Sequence, residues 1–161
     1  MSDYWTPEKE NASKRALELM PDEFFWDICN DCSPIGNDDG ADAGADFYNF
    51  ALANKEPRDY RSFFVGLFER WGLEDGLFDR EPDLSGEYGD MQDVMKYNAI
   101  VAAPFVELMA FGKVDTELAK LALKALDIQS TPPYLRGWVD QEERLQTLGR
   151  SKAVLNAALI K

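Results

Sequence analysis

Histidine is absent from all 161 positions of the chain. Its absence excludes Ser-His-Asp and Cys-His nucleophilic sites, every histidine-containing zinc site, and the side chain best suited to moving protons near neutral pH. Catalysis would have to rest on carboxylates, cysteine, lysine or tyrosine. Cysteine is scarce, with only Cys29 and Cys32 present. Two cysteines so close in sequence make no disulfide framework and fit a reduced, cytoplasmic setting. The opening MSDYWTPEKEN lacks the basic and apolar regions of a signal peptide, and no uninterrupted apolar run approaches the roughly 18 residues of a membrane span. No Walker-type glycine-rich loop occurs. Clean two-residue apolar alternation, the mark of a half-buried strand, is missing as well.

Basic charge is the other shortage. The chain carries 17 Lys and Arg against 30 Asp and Glu, a net charge of −13. Residues 22–46 hold eight acids and no base. Such a field repels nucleic-acid phosphates and anionic lipid and favours encounter with basic proteins or cations, so neither direct nucleic-acid binding nor membrane attachment is expected. Apolar material, in contrast, is plentiful: 45% of residues are hydrophobic, among them 10 Phe, 6 Tyr and 4 Trp. A chain of this size and content supports one globular helical domain over 1–161 without a stapling metal or disulfide.

The periodicities predict an all-α, single-domain bundle of about six or seven helices. Thr6-Pro7-Glu8 reads as the start of a first helix running to Met20. Phe24, Phe25, Ile28, Cys29 and Cys32 share one face of a predicted second helix that Pro34 and Gly36 stop. Asp38 or Asp39 then caps a helix whose Ala41, Ala45, Tyr48 and Leu52 keep helical spacing. Tyr60, Phe63, Phe64, Leu67, Phe68 and Trp71 mark the clearest helix, with Gly72 at its C-terminal cap. Their spacing is that of a packed core face rather than a cofactor pocket. Residues 73–89 form a long irregular loop with one short turn near Leu77 and Phe78. Asp90 or Asp93 starts a helix toward Phe111 that Pro104 bends or divides, and Asp115 or Thr116 caps the next. Pro132 and Pro133 break the pattern. Asp140 and Glu143 head a last helix with an apolar seam of Leu145, Leu148, Leu155 and Leu159. Its basic residues Arg144, Arg150, Lys152 and Lys161 lie mostly toward the C-terminal end, where the dipole favours them.

Among chemistry-bearing motifs, Cys29-x-x-Cys32 lacks the second pair or the histidines of a structural zinc site, and on a helix end beside Asp27 and Asp31 it reads as core. Asn37-Asp38-Asp39-Gly40 fits no calcium loop. With Gly40 as the loop glycine, Ile35 falls on the first ligand position; with Gly44, Ala41, Ala43 and Phe50 fall on ligand positions. Over five residues Asp38-Asp39-Gly-Ala-Asp42 is similar to the DDxxD magnesium-diphosphate motif of all-α isoprenoid synthases, which implies a diphosphate site, yet no nearby base could hold the phosphates. Asp90-x-x-Asp93 resembles one half of the paired magnesium-binding carboxylates of dimeric nucleotide pyrophosphatases, and no ExxE stands upstream of it.

The expected function is therefore a non-catalytic acidic helical protein that binds a basic partner protein. In composition it resembles immunity proteins, inhibitors and adaptors. Asp31, Asp38, Asp39, Asp42 and Asp46 are the candidate partner-binding residues, with neither cofactor nor metal expected. A carboxylate-dependent magnesium or manganese enzyme acting on a phosphorylated small molecule is the alternative, and a solvated acidic surface is the bland reading.

Overall fold

A computed structural model describes residues 4–160. Its helices are α1 (Lys14–Leu19), α2 (Asp38–Ala53), α3 (Tyr60–Arg70), α4 (Met91–Phe111), α5 (Thr116–Gln129), α6 (Pro132–Leu135) and α7 (Gln141–Ala158), with 3₁₀ turns at Lys9–Asn11, Glu23–Trp26 and Leu77–Asp79. No strand occurs among the described residues, so the molecule is an all-α bundle.

α4 is the centre. It is buried from Tyr97 to Met109 apart from Asn98, and α2 and α5 are its main packing partners. Its residues meet the length and mean hydropathy of a membrane span although no uninterrupted apolar run does, and 72% of that window is buried inside the protein, the placement of a core helix. Pro104 does not divide the helix, which is continuous across it. The missing N–H of a proline in a helix interior costs about 3 kcal/mol, and burial on every side of α4 offsets it. One hydrophobic cluster joins Ala16 of α1, Phe47 of α2, Phe64 and Leu67 of α3, Phe105 and Leu108 of α4, Leu118 and Leu126 of α5, Tyr134 of α6 and Leu155 of α7.

Several helix starts follow the anticipated capping acids. Asp90, Asp115 and Asp140 each accept backbone N–H bonds from the first turn of α4, α5 and α7. α3 keeps its aromatic face, and Gly72 ends it with φ +73°, a conformation that a side chain disfavours. On α2 Ala45 is buried as expected together with Ala43, Phe47 and Ala51, Tyr48 is half-buried, and Leu52 is exposed. On α7 Leu145 is exposed too, and Arg144, Thr147 and Ser151 share the buried side with Leu148, Val154 and Leu155.

The first quarter of the chain departs most from expectation. Instead of a helix from Pro7, the chain is irregular until a 3₁₀ turn, and α1 begins after Ser13. Ser13 does three things there: its N–H donates to Met109 O (2.8 Å), its Oγ donates to Leu108 O (2.7 Å), and Oγ accepts from Ala16 N–H (3.1 Å). It thereby ties the head of α1 to the tail of α4. No helix carries Cys29 and Cys32 either, since the Glu23–Trp26 turn is followed by a run of tight turns to Asn37. Lys161 lies outside the described residues.

Candidate functional site

The segment 27–37 is built from three successive turns. Asn30 N–H donates to Asp27 O, Ser33 N–H to Asn30 O, and Gly36 N–H to Ser33 O, a repeat of three residues. Side chains reinforce it: Cys29 N–H donates to Asp27 Oδ1 (2.9 Å) and Cys32 N–H to Asn30 Oδ1 (2.9 Å). These local bonds give the backbone an alternative to helix and explain why an apparent helical period fails here. Gly36 closes the coil, because a Cβ there would lie 2.1 Å from Asn30 O and 2.7 Å from Asp27 O. Asn37, not Asp38 or Asp39, caps α2, accepting from Gly40 N–H at 2.7 Å.

Across from these turns runs the segment Gly137–Asp140 with the head of α7. Between them lies a groove of about 830 Å³ lined by Asp27, Cys29, Asp31 and Cys32 on one wall and Trp138, Val139, Asp140 and Glu143 on the other. The lining has four carboxylates and no base. Val139 is fully exposed, and Trp138 is half-buried. Beneath the groove sits Arg144, only 5% exposed. Its guanidinium stacks on the Trp138 ring at 4.2 Å, and Nη1 donates to Cys32 O at 3.4 Å. Nε has no hydrogen-bond partner, and no carboxylate forms an ion pair with Arg144 among the described residues. Burial pushes the guanidinium down to about 10, while the neighbouring Cys32 thiol opposes that shift. Arg144 also stands near the N-terminal, positive end of the α7 dipole, which disfavours its charge.

The candidate aspartates separate into two groups. Asp31 lines the groove, and Asp38 lies in the first turn of α2 next to the groove residue Asn37. The other three are engaged within the protein. Asp39 accepts from Asn98 Nδ2 (3.1 Å), Asp42 accepts from the Tyr4 hydroxyl (2.8 Å), and Asp46 faces Arg70 Nη2 at 3.7 Å. The Tyr4 hydroxyl is raised well above its ordinary value, first by burial, then by Asp42 and the charges of Asp46 and Asp38. Among the described residues no three His, Cys, Asp or Glu side chains are gathered in a way that could hold a metal ion.

Sequence reasoning missed Asp27, Trp138, Val139, Asp140 and Glu143 as a single set lining one groove, and it read Arg144 only as one of the basic residues of the last helix. The signal available was Gly137-Trp-Val-Asp140, where a large apolar pair follows a glycine and precedes a helix cap. Both cysteines were expected to be partly buried core residues, which holds for Cys32 but not for Cys29. Cys29 is exposed and Cys32 half-buried, because no helix turns them inward.

Fold and site together define an all-α chain with an acidic groove over a buried, uncompensated arginine. No protein-family model, curated protein or solved structure matches the chain.

Proposed function

We propose that the chain is a non-catalytic acidic protein, of the immunity, inhibitor or adaptor kind, whose groove between 27–37 and 137–143 receives a Lys- or Arg-rich segment of a basic partner protein. One observation carries the proposal: four carboxylates, Asp27, Asp31, Asp140 and Glu143, wall the groove with no base among its lining residues. A basic side chain entering there meets opposite charge on both walls, while Trp138 and Val139 offer apolar surface to its aliphatic stem. Asp38 extends the negative field beside the groove. Asp42 adds to it from α2 through space, while Asp39 is held by Asn98 and Asp46 faces Arg70.

Isotope-labelled protein titrated with a synthetic peptide of alternating Lys and Ser tests the proposal by amide chemical shifts. Shifts should concentrate in 27–37 and 137–143. Asp31→Asn combined with Glu143→Gln should weaken binding about tenfold, equivalent to about 1.4 kcal/mol. Shifts spread evenly over the acidic surface, or an unchanged affinity in the double variant, would assign the acidity to solvation alone.

A further inference from the structure

We propose that Cys29 and Cys32 form a thiol–disulfide exchange site in the groove, where exposed Cys29 takes up a small cationic disulfide and Cys32 then closes an intramolecular disulfide beside the Arg144 guanidinium. The site shares the groove of the docking proposal but does not depend on it, since exchange needs no basic partner.

Three observations converge. The two cysteines hold equivalent places in successive turns, each with its N–H bonded to the side chain two residues earlier, and both line the same groove. Their accessibility is graded, Cys29 exposed and Cys32 half-buried, which gives an entering disulfide a defined first target. Arg144 supplies the third. A guanidinium that is 5% exposed is normally paired with a carboxylate, since burying an uncompensated charge is costly. Here its side-chain hydrogen bond goes to the backbone carbonyl of Cys32, Nε is unpartnered, and Cys32 and Arg144 line one small cavity together. A sulfur gaining negative charge at Cys32 is the counter-charge that Arg144 lacks.

The remaining charges around the thiols are negative: Asp27 and Asp31 on the turns, Asp140 and Glu143 on the opposite wall. They disfavour anionic reagents and favour cationic ones, which sets the reagent class. In the first step the Cys29 thiolate attacks one sulfur of the disulfide RSSR. The Cys29–SR bond forms, the S–S bond breaks, and the leaving thiolate takes a proton from water. Cys32 then gives its proton to solvent and attacks the Cys29 sulfur, forming Cys29–Cys32 and releasing the second thiol. The two cysteines lose two electrons, and RSSR is reduced to two RSH.

Reduced full-length protein incubated with cystamine, quenched with acid and weighed intact tests this. Wild type should lose two hydrogens and retain no cysteamine. Cys32→Ser should stop with one cysteamine on residue 29, and Cys29→Ser should react far more slowly. Glutathione disulfide, being anionic, should react more slowly than cystamine. Arg144→Met should slow closure of the mixed disulfide about tenfold, Arg144→Lys should restore much of the rate, and urea should abolish the difference. A wild-type chain that keeps one or two cysteamines without closing overturns the dithiol site. Equal closure in wild type and Arg144→Met, in folded protein, overturns the role of Arg144; should that variant not fold, equal closure of folded Arg144→Lys in the absence and presence of urea does the same.

Discussion

Glu107 is fully buried on α4, among the apolar residues that surround it from Ala102 to Met109. One oxygen accepts from the Tyr60 hydroxyl (2.8 Å) and from Arg58 Nη1 (3.2 Å), and the other accepts from Asp115 N–H. This carboxylate therefore joins α3, α4 and the cap of α5. Burial is the largest influence on it and lifts it above its ordinary value of 4.5, against the pull of Asp115 N–H, Tyr60 and Arg58. Glu107→Gln leaves one oxygen for three donors and turns an amide N–H toward one of them, so it should destabilise the protein by about 3 kcal/mol in urea unfolding. The pH dependence follows from linkage. The folded state holds the Glu107 proton to higher pH than the unfolded chain, so stability falls as pH rises from 4.5 through the lifted value. The margin of wild type over Glu107→Gln should shrink across that window, and a margin that widens would reject the assignment. A lone acid inside AAPFVELMAF was the legible hint; its partners were not, because Tyr60 and Arg58 lie almost fifty positions away.

Helices whose apolar residues recur at helical spacing were legible, as α3 and α5 illustrate, and so were starts marked by aspartate caps. Turns that satisfy the backbone through Asp27 and Asn30 were not, because Phe24, Phe25, Ile28, Cys29 and Cys32 imitate a helical period while the chain follows local side-chain bonds. The 73–89 segment was rightly placed as a loop with one turn, yet its fastening was hidden in residues that look like solvated charges. Arg80 reaches Glu74, Asp90 and the 2%-exposed Asp93, while Lys96 Nζ donates to Leu77 O and Arg80 O, both at 2.7 Å. Burial lowers Lys96 from its ordinary value, and Asp93 works against that. Arg80→Ala removes the partner of a buried carboxylate. Allowing for the partial exposure of Arg80, it should cost about 2 kcal/mol. Hydrogen exchange should quicken at residues 77–89 and stay unchanged in α7; uniform quickening would mean that the loop is not a separately fastened unit.

At the scale of the molecule, folding brings distant bases to the base-free segment 22–46. Arg150 pairs with Asp22, Lys9 with Glu23 and Arg70 with Asp46. Asp27, Asp31, Asp38, Asp39 and Asp42 have no ion pair among the described residues, so the segment remains a concentrated negative field. Salt should then act on stability and on binding with opposite signs. Exposed ion pairs contribute about 0 to 1 kcal/mol each and lose little on screening, whereas the self-repulsion of a chain of net charge −13 is relieved. Raising sodium chloride from about 0.01 M to about 1 M shortens the screening length from roughly 30 Å to roughly 3 Å. The melting temperature should rise by a few degrees, on the order of 1 kcal/mol for a chain of this length. Over the same range, association with the basic peptide should slow by about tenfold or more, while its dissociation rate changes little, because steering acts at a distance and groove contacts act within it. A melting temperature that falls with salt would show that the ion pairs outweigh the repulsion, and a salt effect confined to dissociation would show that the acidic field does not guide the encounter.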